Sequence, residues 1–309
     1  MLSRVASHLY WMSRYLERAE SMARILDVGQ SLALLSGRPG DERSAIEPLI
    51  ITDTLEAFRE TGREATPDHV ARFLAWDQQH PSSIVNCLET ARENARAVRG
   101  SITSEMWENI NDTWLQLHRH RSAGSAIDAP FFDWVKERSH MFRGITGATI
   151  RQDQPYLFIR LGTFIERGDN TARILSVKQA PGTGGVDEDV LTDYYSLSAV
   201  LRSVSAFEAY RDTYRDAIDA RRVAELLIFD PRLPRSLRFC VEQVDVILRD
   251  LPEQSGRMAR RLAAILRSRL AYGVLEEVYA FGLHGFLERF LRENVRLGDA
   301  LHAAYLELK

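Results

Sequence analysis

Apolar residues recur at three- and four-residue steps through most of this chain, the spacing of one face of an α-helix. The ten prolines, at 39, 48, 67, 81, 130, 155, 181, 231, 234 and 252, outline the segments. Proline inside a helix removes a hydrogen bond and clashes with the preceding turn, so it tends to sit at helix ends. The pattern predicts helices near 3–36, 43–62, 67–76, 82–121, 131–150, 155–179, 187–219, 221–229, 234–250 and 254–307, the longer ones broken near Gly100 and Gly273. Ser82 and Ser83, after Pro81, suit a helix start. PGTGGVDED, 181–189, reads as a loop. AELLIFD, 224–230, is the nearest approach to a strand, and the fold class is all-α.

Three blocks recur in the same order. LERAESMARILDV, 16–28, matches IERGDNTARILSV, 165–177, with seven of 13 positions identical. LEAFRET, 55–61, matches FEAYRDT, 207–213, and FLAWDQQHPSSIVNCLE, 73–89, matches LLIFDPRLPRSLRFCVE, 226–242. The offsets drift only from 149 to 153 residues. This order implies two tandem copies of a helical-bundle unit, 1–150 and 151–309, packed with pseudo-twofold symmetry as two domains or one core. Two copies are too few for a solenoid. Cys87 and Cys240 occupy equivalent places in the third block and suit core positions, since free cysteine behaves as a small hydrophobe.

On the first repeat helix, Leu9, Trp11, Met12, Tyr15, Leu16, Ala19, Met22, Ala23 and Leu26 form a broad apolar arc. Arg14, Glu17, Ser21 and Arg24 lie opposite, with Arg18 and Glu20 at the borders. Tyr10, Ile25 and Val28 interrupt that charged side, as Ile174 and Val177 do in the second copy, which suits a helix covered on both sides. Glu17, Arg18 and Arg24, with Glu166, Arg167 and Arg173, are then at least partly buried and matched to one another. Three readings stay open for them: a buried structural network, a ligand or partner site, and a solvated face. Glu20 with Arg24, and Asp169 with Arg173, are i,i+4 pairs in the favourable order. Glu56 with Arg59 recurs as Glu208 with Arg211, and Arg202 lies two turns before the second pair. Trp107 suits the core.

Chemistry beyond these helices is sparse. The eight histidines are scattered, and no Gly-rich phosphate loop, GxSxG or HExxH is present. Glu17, Glu20, Glu166 and Asp169 resemble the inward acids of di-iron bundles, but that architecture requires Glu-x-x-His. An arginine follows each motif glutamate and repels a cation, so neither metal nor cofactor is expected. A net charge of -3 argues against nucleic acid, with Arg257 to Arg269 the one basic run to inspect. The N-terminal segment has no signal-peptide core, and no stretch reaches the roughly 20 apolar residues of a membrane span. Two lone thiols fit a reducing compartment, and the expected location is the cytoplasm.

At LYWMSRYLERAESMARILDV, 9–28, the sequence resembles the bacterial alpha-E family, all-helical proteins with a hydrophobic-Glu-Arg motif, here Leu16-Glu17-Arg18. FIERGDNTARILSVK, 164–178, carries the motif again at Glu166 and Arg167, and LRSVSAFEAYR, 201–211, and DPRLPRSLRFC, 230–240, extend the likeness. Gly168 stands where the first copy has Ala19, a change expected to loosen that helix. The resemblance implies a circularly permuted ATP-grasp protein as partner, with transglutaminase-like peptidases and a proteasome-related hydrolase nearby. The leading expectation is a non-catalytic partner or substrate-presenting subunit of a peptide or amide ligase. An enzyme forming or cleaving amide bonds, with Glu17 or Glu166 as base beside Arg18 or Arg167, is the alternative. A structural assembly protein, homo-oligomeric or part of a larger complex, is the third.

Overall fold

Capping chemistry sets where six of the helices begin. The structure, a computed structural model, describes residues 1–35, 42–177, 190–252 and 256–307. Its helices are α1 Ser3–Leu35, α2 Glu42–Ile51, α3 Leu55–Arg59, α4 Pro67–Trp76, α5 Ile84–Ala97, α6 Ser104–Ser122, α7 Ala129–Thr149 and α8 Gln154–Val177. They continue with α9 Val190–Ser203, α10 Phe207–Tyr214, α11 Ala220–Phe229, α12 Leu237–Asp250, α13 Arg257–Tyr272, α14 Leu275–Phe281 and α15 Leu283–Leu301. The chain then widens into a π-type turn over His302–Leu306. Among the described residues there is no strand, and 224–229 is the end of α11, with Asp230 the extended residue that follows it. The expected loop at 181–189 lies outside the described residues.

The side chains of Thr66, Ser83, Thr103, Asp128, Asp219 and Ser236 each accept the backbone N–H three residues on, which satisfies a donor that the helix start leaves over. Of the two serines after Pro81, Ser83 is the cap. Two of the long predicted helices are split where the sequence gives no glycine or proline. The segment 43–62 breaks at Asp53 and the segment 187–219 at Ser205, with φ of 57° and 53°. In both, the next residue's N–H reaches a carbonyl five residues back, Thr54 to Leu49 and Ala206 to Leu201, each 2.8 Å. This is a Schellman closure, in which the left-handed residue turns the chain out of the helix. A third break beyond the expected one near Gly273 falls at Gly282, φ 92°.

Buried apolar side chains from Ala6 to Leu306 form one connected core. At its centre α1 packs on α8. Around α1 lie α5, α7 and α9, and around α8 lie α12 and α15. The two central helices run parallel: Gly162 meets Tyr10 and Ser13, and two turns later Asn170 Nδ2 donates to Ser21 Oγ at 3.0 Å.

Gly162 permits that approach. A Cβ there would lie 2.2 Å from the Tyr10 carbonyl oxygen, which belongs to helix backbone and cannot swing away. At Gly168 a Cβ would sit 3.5 Å from Cys240 and 3.6 Å from Phe290, ordinary contact distances. The residue is buried between α12 and α15 and has room for a methyl group. Gly168→Ala is therefore expected to stabilise the fold by about 0.5–1 kcal/mol through helix propensity. Gly162→Ala is expected to cost more than about 2 kcal/mol through overpacking. Denaturant titrations check both, and equal effects at the two sites would contradict this account of the helix contact.

Candidate functional site

Adjacent residues on a helix point about 100° apart, so the Glu and the Arg of each motif face different ways. Each needs a partner from elsewhere, and the α1–α8 contact supplies it reciprocally. Arg167 on α8 grips Glu17 on α1 through Nε and Nη2 at 2.8 and 2.9 Å, one bond to each carboxylate oxygen. Arg18 on α1 grips Glu166 on α8 through Nε and Nη2 at 2.6 and 3.1 Å, again one bond per oxygen. These two-pronged bonds use the planar fork of guanidinium, which lysine lacks.

Each clasp is reinforced. Arg14, one turn before Arg18, adds a bond to Glu166 at 2.8 Å. Arg235 and Arg143 reach Glu17 at 3.0 and 3.1 Å. Both also bond Glu20, which further accepts from Ser139 and from Arg24 one turn along α1. Arg235 sits in the turn before α12, where Ser236 caps the helix and Thr171 of α8 donates to the Arg235 carbonyl. Arg143 and Ser139 project from one flank of α7. Tyr10 and Ile25, the apolar residues on the charged side of α1, are both buried.

The three glutamates are 0–3% exposed, and their arginines keep them ionised. Burial alone would raise the Glu166 carboxyl, but Arg14 and Arg18 overcome it and hold it at about 2. Burial likewise opposes ionisation of Glu17, and Arg167 and Arg235 bring it below the usual carboxylate value. Glu20 is held well below that value against its burial, by Arg235 first and then by His140, Arg143 and Arg24. The two cysteines show the opposite outcome: burial pushes both thiols up to about 12 despite nearby Arg18 and Arg167. A thiol so placed is neither nucleophile nor metal ligand at neutral pH.

The structure thus brings together Glu17, Arg18, Arg24, Glu166 and Arg167. Arg173 bonds Asp169 at 2.7 Å on the neighbouring turn of α8. Arg202 instead lies over the Phe207 ring at 4.3 Å. Glu208 and Arg211 are exposed and bond to no member of the network. Sequence reasoning left out Arg143, Arg235, Ser139 and His140, and it placed Arg14 on the charged face without a partner. Arg235 occupies the place of Ser82 in the third repeat block, so the departure itself was visible, although its reach to Glu20 was not. Ser82 accepts from Arg18 at 3.3 Å. Among the described residues no helix is long and apolar enough to cross a membrane.

The family model Alpha-E, described as a predicted alpha-helical domain with a conserved ER motif, matches residues 1–306. Uncharacterized proteins of Mycobacterium bovis and of two strains of Mycobacterium tuberculosis are 27% identical over 339 residues, covering 99% of this chain. The chain spans 37% of the length of these curated relatives. No solved structure matches.

A carboxyl with a lower pKa in the fold than in the open chain favours the fold while ionised. That contribution is complete above the ordinary value of 4.5 and is lost as pH falls towards about 2. Glu166→Gln is expected to cost about 3 kcal/mol at pH 7, because it leaves Arg14 and Arg18 facing a neutral group. The variant should also lose less stability than the parent between pH 4.5 and 2, which acid and urea titrations would reveal. Cys87 and Cys240 should react with a thiol reagent only on unfolding, a rate measurable by absorbance.

Proposed function

The chain belongs to the Alpha-E family, and from that premise we propose that it is a non-catalytic helical partner, or substrate-presenting subunit, of an ATP-grasp peptide or amide ligase system. One observation carries this reading over the enzymatic one. Both motif glutamates are spent on arginines of the opposite helix, are buried, and are held ionised at low pKa. A general base working near neutrality needs the reverse: a free lone pair, access to substrate and a pKa near 7. The motif therefore serves as a clasp that shapes a surface for others to use.

The two halves, 1–150 and 151–309, are on this reading copies of one unit about a local twofold axis running between α1 and α8. Three contacts support it, because residues 149 apart meet or cross-pair: Ser13 with Gly162, Glu17 and Arg18 with Arg167 and Glu166, and Ser21 with Asn170. The left-handed breaks at Asp53 and Ser205, 152 apart, add a fourth. The length of the relatives, far beyond the matched segment, supports a unit that works beside others. The circularly permuted ATP-grasp protein is the proposed direct partner. The transglutaminase-like peptidase and the proteasome-related hydrolase belong to the same cytoplasmic system.

Co-expression with an ATP-grasp protein encoded beside it is expected to give a complex stable at micromolar concentration and faster ligase turnover than the ligase alone. No complex, with turnover unchanged on addition, overturns the proposal. Amide synthesis or hydrolysis by the isolated chain, abolished in Glu17→Gln with its melting midpoint retained, would favour the enzyme instead.

A further inference from the structure

The clasp carries more positive charge than it needs. Glu17, Glu20 and Glu166 face Arg14, Arg18, Arg24, Arg143, Arg167 and Arg235, six guanidiniums for three carboxylates. Most of the excess gathers around Glu17 and Glu20, where Arg24, Arg143, Arg167 and Arg235 outnumber two acids. Burial of like charges is costly, and the buried Arg235 is pushed below its usual pKa by desolvation and by Arg167 and Arg24, against the pull of Glu17 and Glu20.

The excess has an outlet to solvent. Arg167 and Arg235 are each 9% exposed and face inward, but the Arg143 side chain is 28% exposed and His140 54%. Among the described residues every bond that Arg143 makes runs through Nη1, to Glu17, Glu20 and Ser139, and its Nε and Nη2 donors have no partner there. Arg24 uses Nε and Nη2 on Glu20 and His140 and keeps Nη1 in reserve. Beside Arg143 the flank of α7 is bare. Gly147 lies one turn beyond Arg143 and Gly144 one turn beyond His140; both are exposed, and a Cβ built at either meets nothing within 4 Å. Packing does not require glycine at these positions, and glycine weakens a helix. Their effect is to leave open the space next to an under-used guanidinium.

We propose that the surface formed by Arg143, Arg24 and His140, which gather around Glu20, with the adjoining glycines of α7, binds an oxyanion, carboxylate or phosphate. The free Nε and Nη2 of Arg143 present the two-pronged edge that suits either group, and Arg24 and His140 supply further donors. The bound anion balances part of the surplus charge around Glu17 and Glu20. This assignment does not rest on the ligase partnership, and it is tested on the chain alone.

The test titrates inorganic phosphate and, separately, glutarate into the isolated protein at constant ionic strength, with chloride as reference, by calorimetry and melting midpoint. Saturable binding of at least one, with a raised midpoint, is expected. Phosphate alone marks a phosphoryl ligand, glutarate alone a carboxylate ligand, and both a general oxyanion site. Gly147→Glu sets a negative charge one turn from Arg143 on a good helix former and should weaken binding at least tenfold. Gly147→Ala should keep the affinity and raise the midpoint. Arg143→Gln should also weaken binding at least tenfold, and it decides the matter if Gly147→Glu does not fold. No saturation above the chloride response, or affinity unchanged in the folded variants, overturns the proposal.

Discussion

Two buried ion pairs that cross between parallel helices govern this molecule. Glu17 and Arg18 are neighbours in sequence and strangers in space, and so are Glu166 and Arg167. The helix turns each of these residues away from its neighbour, and burial keeps water from the glutamates. The arrangement that satisfies all four is a second helix carrying the same dipeptide at the same height. The close contact at Gly162 brings the helices near enough for this exchange.

What the pairs contribute is register more than stability. Buried ion pairs gain little over well-packed apolar residues, because desolvation offsets much of their attraction. A mismatch costs far more. If α1 slipped by one turn along α8, Glu17 would face the region of Gly162 and Thr163 rather than Arg167. A carboxylate would then be stranded inside the protein. Arg235 and Arg143 add to this by tying the turn before α12 and the flank of α7 to the same carboxylates. One cluster of charge thus fixes the relative placement of four elements.

Much of the fold was legible because helical periodicity and proline placement are local signals. The splits at Asp53 and Ser205 were not, since neither residue advertises a left-handed conformation as glycine does. At Gly168 the sequence suggested a loosened helix, whereas the structure shows a buried site with ordinary contacts. At the site, Tyr10 and Ile25 hinted that the charged side of α1 is covered, and i,i+4 spacing displayed Glu20–Arg24 and Asp169–Arg173 directly. Arg143 and Arg235 join from 126 and 218 residues beyond Glu17, and nothing in their neighbourhoods records that distance. Arg202, Glu208 and Arg211 show the converse: a pattern repeated in both halves need not lie near the motif.

Ser82 and Arg235 hold matching places in the third repeat block, yet one is a short hydroxyl that receives Arg18 and the other an arginine that reaches two glutamates. Two identical subunits could not differ in this way, for any codon change would appear on both. A continuous polypeptide lifts that restriction. A substitution at position 82 or 235 alters one flank of the clasp and leaves the opposite flank as it was.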